Sequence, residues 1–188
     1  MRLPMENLRS PAALARFVLT TVVGVGVDLW TKALAVEHLK EQAGVRFIPS
    51  WLHFDYTENH GAVFGLGQGQ RTLFLIVSIA AIGFLGFLFA SSGRQRWYQF
   101  VLGMLLAGVL GNMYDRFTLG YVRDMLHALP GWTWPGSTVE VFPWIFNVAD
   151  SLLCVGVGLM ILHSLFAKHP EAHSPAFDVT DHRSVKAE

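Results

Sequence analysis

Four stretches of this chain run apolar for unusual lengths. Twenty-two residues without a formal charge separate Arg71 from Arg94, and 18 separate Arg96 from Asp115. Between Glu140 and Lys168 lie 27 residues broken only by Asp150; between Arg16 and Glu37 lie 20, broken by Asp28 and Lys32. A bilayer core of about 30 Å is crossed by roughly 20 residues of helix. Backbone groups in lipid must also be paired internally, so helices are the natural form of these runs. The pattern predicts four transmembrane helices, near 15–34, 71–91, 97–115 and 142–166. The competing reading, buried helices of a soluble protein, fails because so short a chain cannot cover three long uncharged runs.

Between the runs the pattern changes. Segment 45–57 alternates in part, with Phe47, Trp51 and Phe54 spaced by polar residues and Pro49, and predicts short strands at the membrane surface. Gly61, Gly65, Gly67 and Gly69 follow as a flexible stretch. No Gly-Lys-Ser/Thr ends it, so it is not a phosphate loop. Pro130-Gly131 and Pro135-Gly136, with Trp132 and Trp134, read as turns carrying interfacial aromatics. The expected fold class is an all-α integral membrane protein: four transmembrane helices with a small extracytoplasmic β-like segment and a loop. One domain, 1–168, is expected to precede a polar tail, 169–188.

Composition sharpens this picture by exclusion. Hydrophobic residues make up 52% of the chain and charged ones only 15%, against about a quarter in soluble domains. Disorder is excluded by that hydrophobicity. The formal net charge of zero argues against a nucleic-acid partner. The single cysteine, Cys154, rules out an internal disulfide and a Cys-rich zinc site, and its apolar neighbours suggest a small packing residue. The eight histidines form no metal-ligand set.

Positive charge orients the helices. Arg2, Arg9 and Arg16, then Arg94 and Arg96, then Lys168 fall on one side of a four-helix serpentine, which is therefore expected to be cytoplasmic, with both termini. The N-terminal run also has a rival reading. Arg9 and Arg16, the uncharged stretch Phe17–Val27 and Ala33-Leu34-Ala35 imitate a secretory signal peptide. Asp28 and Lys32 oppose cleavage: they stand four residues apart on one helix face, as an ion pair or a site.

Ionisable groups inside a membrane are costly and point to function. Asn112, Asp115 and Arg116 share a face at the outer end of the third helix. Asp115 reads there as a structural clamp, with its neighbour Arg116 supplying the opposite charge. Asn147 and Asp150 sit within the fourth run, and Asp150 is the most expensive residue in the chain. Asn59, taken alone, is a turn residue, and Asp124, taken alone, is a solvated loop acid.

Taken together these residues resemble the lipoprotein signal peptidases, also called signal peptidase II. Asp28-Leu29-Trp30-Thr31-Lys32 resembles D-x-x-T-K, and Asn59-His60-Gly61-Ala62-Val63-Phe64 resembles N-x-G-x-x-F. Gly111-Asn112-Met113-Tyr114-Asp115-Arg116 with Val122-Arg123-Asp124 resembles G-N-x-x-D-R and V-x-D. Phe146-Asn147-Val148-Ala149-Asp150 resembles F-N-x-A-D. The likeness covers roughly 17 to 166, with its parts in order. It implies a multi-pass aspartic endopeptidase of the bacterial cytoplasmic (inner) membrane, with its active site toward the extracytoplasmic face. The implied substrates are diacylglyceryl-modified prolipoproteins, cleaved before the lipid-modified cysteine. It further implies Asp124 and Asp150 as the catalytic pair, with Asn59, Gly61, Asn112, Arg116, Asn147, Asp28 and Lys32 as supporting or binding residues and Asp115 as structural. Expected partners are those substrates and membrane lipids, around a monomer; no cofactor or metal is expected. Two departures stand out: Met125 where the family usually has an aromatic, and a longer stretch between Asp124 and Asp150, with 130–143 as the insertion. The readings from other classes are a proton-coupled membrane transporter and a non-catalytic membrane scaffold.

Overall fold

The computed structural model describes residues 8, 10–42, 44–61, 67–93 and 95–166. Arg2, Arg9, Arg94, Lys168, the tail 169–188 and positions 62–66 of the glycine-rich stretch, Ala62, Val63, Phe64 and Gly65 among them, lie outside the described residues. Four helices alternate with strands: α1 (Pro11–Leu39), β1 (Val45–Ile48), β2 (Leu52–Asn59), α2 (Arg71–Ser91), α3 (Arg96–Thr118), β3 (Val122–Ala128), β4 (Ile145–Phe146) and α4 (Val148–Phe166).

Helix α1 starts where Ser10 caps it, its hydroxyl accepting from the Ala13 N–H, with Pro11 at the first helical position. It outruns the expected 15–34 at both ends. Helix α3 is the centre of the bundle and packs on the other three. Gly103, Gly108 and Gly111 lack a Cβ where α1 or α4 comes closest, so the backbones approach with only small residues between them. Phe17 stacks on Phe89 at 4.2 Å, and with Val101, Leu102 and Leu105 forms the inner core.

Helices α1, α2 and α4 are long and apolar enough to cross a membrane. Their outward faces expose Leu19, Val22, Ile76, Ile79, Ile161 and Leu162. Contiguous apolar surface of this kind is unfavourable in water and suits lipid. Helix α3 does not reach that apolarity. It keeps Gln99, Asn112 and Asp115 buried against its neighbours, so its polar atoms are spent inside the protein.

The all-α expectation needs correction, because the β component is a four-stranded antiparallel sheet in the order β1-β2-β3-β4. Its first strand falls within the alternating segment 45–57, and its second begins there and runs two residues past it, to Asn59. The other two were not expected. Strand β3 occupies Val122–Ala128, whose alternation is hidden by a mixture of charged and apolar residues on both faces. Strand β4 takes Ile145–Phe146, so α4 begins at Val148 rather than 142. The sheet rests on the end of α1, where Ala35 and Leu39 meet Met125, Phe54, Tyr56 and Leu126. Met125, small and flexible beside an aromatic, fills this joint.

Candidate active site

The C-terminal ends of α1 and α3 and the N-terminal end of α4 meet at the sheet. Arg71 at the start of α2 joins them, donating to the Phe117 carbonyl at 2.6 Å. Every candidate residue of the sequence reading comes to this end, on five different elements, the segment after β2 and the junction of β4 with α4.

Strand geometry places Asp124. Alternation puts Val122, Asp124 and Leu126 on one face of β3 and Arg123, Met125 and His127 on the other. Asp124 is therefore no loop acid: it is 1% exposed, opposite Thr57 of β2. Its Oδ1 accepts from Asn147 Nδ2 at 2.6 Å and its Oδ2 from Asn59 Nδ2 at 3.0 Å. Burial, and next the charge of Asp150, push its carboxyl up to about 7, against the lowering effect of the two amides.

Helix capping places Asp150. It lies in the first turn of α4, not deep within a span. Asn147 Oδ1 accepts from the Asp150 N–H at 2.9 Å while Asp150 Oδ2 accepts from the Asn147 N–H at 3.2 Å. These reciprocal bonds form a capping box, and the helix dipole favours a negative group there. The other oxygen, Oδ1, accepts from Asn112 Nδ2 at 2.8 Å.

Two amides link the acids. Asn147 Nδ2 donates both to Asp124 and, at 3.1 Å, to Asn112 Oδ1. Asn112 Oδ1 also accepts from Lys32 Nζ at 3.0 Å. A lysine ammonium can only donate, so Lys32 fixes which end of the Asn112 amide faces it and turns Nδ2 toward Asp150. Asn59 is held likewise: its Oδ1 accepts from the Gly61 N–H at 2.9 Å, leaving Nδ2 for Asp124.

Behind the amides lies a second polar layer. Asp28 and Lys32, both 0% exposed, pair at 2.8 Å. Asp28 Oδ1 also accepts from the Ala149 N–H at 2.8 Å, so a carboxylate of α1 caps α4. A Cβ at Gly111 would collide with that carboxylate, which explains the glycine at this point of α3. Asp115 does not pair with Arg116, as its position suggested. Helical neighbours one residue apart point in different directions. Its partner is Arg123, through Nη2 at 2.6 Å, Nε at 3.1 Å and the backbone N–H at 3.0 Å, with Lys32 Nζ at 3.5 Å. Arg116 instead donates to the Gly61 carbonyl at 2.9 Å and lies 4.8 Å over the Phe74 ring.

A cavity of about 600 Å³ opens beside these groups. Asn59, Asn112, Arg116, Asp124 and Asp150 line it, facing an apolar wall of Phe142, Trp144 and Leu153. Asp28, Lys32, Asp115, Gly61 and Asn147 are outside its lining and act behind it. Cys154, expected to be a packing residue, is exposed on its rim. Arg123 and the aromatic wall were missed as site residues. Arg123 stands between Val122 and Asp124 of a motif already singled out, and that place is the signal that could have found it; no local signal marks Phe142 or Trp144. Among the described residues no group of three His, Cys, Asp or Glu is arranged to hold a metal.

Comparison with known proteins gives a consistent result. A family model described as signal peptidase (SPase) II matches residues 20–166. The lipoprotein signal peptidase of Chlorobium phaeobacteroides is 38% identical over 149 residues, 78% of this chain and 87% of that protein. That of Halalkalibacterium halodurans is 35% identical over 147 residues, 78% and 89%. A solved structure described as a bacterial membrane enzyme superposes with a TM-score of 0.69 at 29% identity, covering 81% of this chain and 94% of that one. A second, so described, gives 0.68 at 32% identity, covering 79% and 87%.

Proposed function

Because the chain belongs to the signal peptidase II family, we propose that the cavity at the sheet end of the bundle is its active site and that Asp124 and Asp150 are the catalytic pair. The protein is an aspartic peptidase of lipoprotein processing and a multi-pass membrane protein; the transporter and scaffold readings give way to that. The observation carrying the residue assignment is the placement of two acids on one cavity, joined through Asn112 and Asn147, with no cation bonded to either acid among the described residues.

Peptide hydrolysis needs an activated water and a proton for the leaving amine. One proton shared by two acids supplies both. Burial favours that proton on Asp124 near neutral pH. Asp150 takes a proton from water as the water oxygen attacks the scissile carbonyl carbon. Asp124 gives its proton to the carbonyl oxygen. The C–N bond then breaks as the proton held by Asp150 passes to the leaving nitrogen and the carbonyl oxygen returns its proton to Asp124. The two acids are restored. Arg116 holds the Gly61 carbonyl and so keeps the Asn59 segment against Asp124. One proton on the pair also brings Asp124, Asp150 and Arg116 to zero net charge.

The substrate is a prolipoprotein carrying diacylglycerol on the cysteine that becomes its N-terminus. The acids sit at the end of the helices, where a lipid chain can stay in the bilayer while the peptide bond reaches water. All four helices span the membrane of a monomer, α3 in the middle. Arg16 and Arg96, at the far end, are cytoplasmic with both termini, and the sheet faces outward.

The test is gel-shift cleavage of a purified diacylglyceryl-modified prolipoprotein. Wild type cuts before the modified cysteine; Asp124→Asn and Asp150→Asn each lose about 10²–10⁴-fold or more in kcat while remaining folded. Full activity in either folded variant overturns the pair.

A further inference from the structure

Phe142 and Trp144 of the cavity's aromatic wall belong to the segment between β3 and β4, which is held at Leu129 and Trp132 by Trp51 of the β1–β2 turn and, nearer the wall, at Glu140 by a histidine of the sheet. His127 of β3 is largely buried, with its side chain 16% exposed, and both ring nitrogens face carboxylates. Nδ1 lies 3.1 Å from Asp55 Oδ2 on β2, and Nε2 lies 3.5 Å from Glu140 Oε2 on the segment. Nε2 is buried and has no hydrogen-bond partner. A neutral imidazole has one N–H and one lone pair. Whichever tautomer forms, one carboxylate then faces a lone pair. Only the imidazolium satisfies both.

Glu140 is the segment's own fastening point. Its Oε1 accepts from the Gly131 N–H at 3.1 Å, and it bridges to Thr133 across a short antiparallel turn closed by Trp134 N–H to Val139 carbonyl at 3.1 Å. Two residues after Glu140 comes Phe142, whose ring meets Trp144 at 5.2 Å and Phe146 at 5.8 Å. Phe142, Trp144 and Phe146 all line the cavity opposite Asp124 and Asp150. The other groups facing His127 are His53 of β2, ring centroid 6.4 Å away, and the uncharged Ile145 of β4. Arg46 of β1 pairs in register with His53 rather than with His127.

We propose that Glu140 is a positioning residue for the peptidase reaction: clasped by His127, it holds Phe142 and Trp144 as the substrate-binding wall. This rests on the cavity being the active site. The affected quantity is substrate affinity, because neither Glu140 nor His127 touches the reacting atoms.

The test is KM and kcat of the purified full chain in detergent, with a diacylglyceryl-modified prolipoprotein peptide. Glu140→Gln raises KM about three- to fivefold with kcat unchanged. His127→Gln gives the same pattern, and the double variant is no worse than either single one. Should His127→Gln fail to fold, Asp55→Asn takes its place, with a rise in KM of the same kind. An unchanged KM in Glu140→Gln, a fall in kcat in place of the rise in KM, or additive single effects overturns the clasp. Asp150→Asn is measured alongside. If it stays active, the cavity assignment fails; if it is dead while Glu140→Gln matches wild type, the clasp alone fails.

Discussion

Two groups of ionisable residues lie side by side at the sheet end of the bundle, and they are balanced differently. In the deeper group, Asp28 and Asp115 face Lys32 and Arg123: two negative charges, two positive, all within hydrogen-bonding or ion-pair distance. In the shallower group, among the described residues, Asp124 and Asp150 accept hydrogen bonds from neutral amides, those of Asn59, Asn112 and Asn147. In the first group Asp28, Lys32 and Asp115 are closed to solvent and Arg123 is largely so; the second lines a cavity. A saturated ionic cluster holds shape, because every change in it leaves a buried charge alone. Two acids without a bonded cation cannot both hold charge easily, so they retain a proton and can give it away. The same residue type is matched by cations in one group and met by amides in the other, and the fold decides which.

The largest effect that breaks this comparison comes from the closed group. Lys32→Met leaves Asp28 and Asp115 without their common cation and frees the Asn112 amide to turn. It should destabilise the protein by about 3–5 kcal/mol, read from thermal unfolding in detergent, and lower kcat in whatever fraction stays folded.

A smaller effect concerns the open group and its proton. The folded state holds a proton on Asp124 up to a pH of about 7, whereas the carboxyl's ordinary value is 3.8. Between those values the folded state binds more protons than the unfolded one, so stability falls as pH rises, by up to about 4 kcal/mol in all. Unfolding midpoints measured from pH 4 to 8 should show this decline. In Asp150→Asn the neighbouring charge is gone, and the decline should end at lower pH while burial keeps it above the ordinary carboxylate range. An unshifted midpoint would mean that the two acids do not sense each other.

The smallest effect is a control. Lys40 and Glu58 pair at 3.0 Å on the surface, with side chains 43% and 34% exposed. Lys40→Met should shift the unfolding midpoint by no more than ~2 °C. A loss comparable to that of Lys32→Met would show that burial is not what separates the two lysines.

The apolar runs, the polar pairs at helical spacing and the four ordered motifs were all legible along the chain. Local alternation disclosed β1 and β2. It did not disclose β3, because Arg123, Asp124 and His127 each find a polar partner elsewhere and so interrupt the apolar alternation that would mark a half-buried strand. Asp115 and Arg116 invited a pairing by adjacency, and helix geometry separates them. Asp150 looked deep inside an apolar run because β4 and α4 join at Asn147 with no break in hydrophobicity.

What the sequence by itself determined was a membrane protein with its acids, amides and cations confined to the ends of apolar segments, since a bilayer tolerates little else. The identity of each acid's partner was decided only in three dimensions. Asp28 caps a helix 121 residues away, and Asn59 reaches Asp124 across 65. Hydrogen bonds and charges act through space over a few ångströms, and chain proximity carries no record of them. Closing the sheet against the bundle is what brings Arg123 to Asp115 and buries Asp124 against the amides of Asn59 and Asn147.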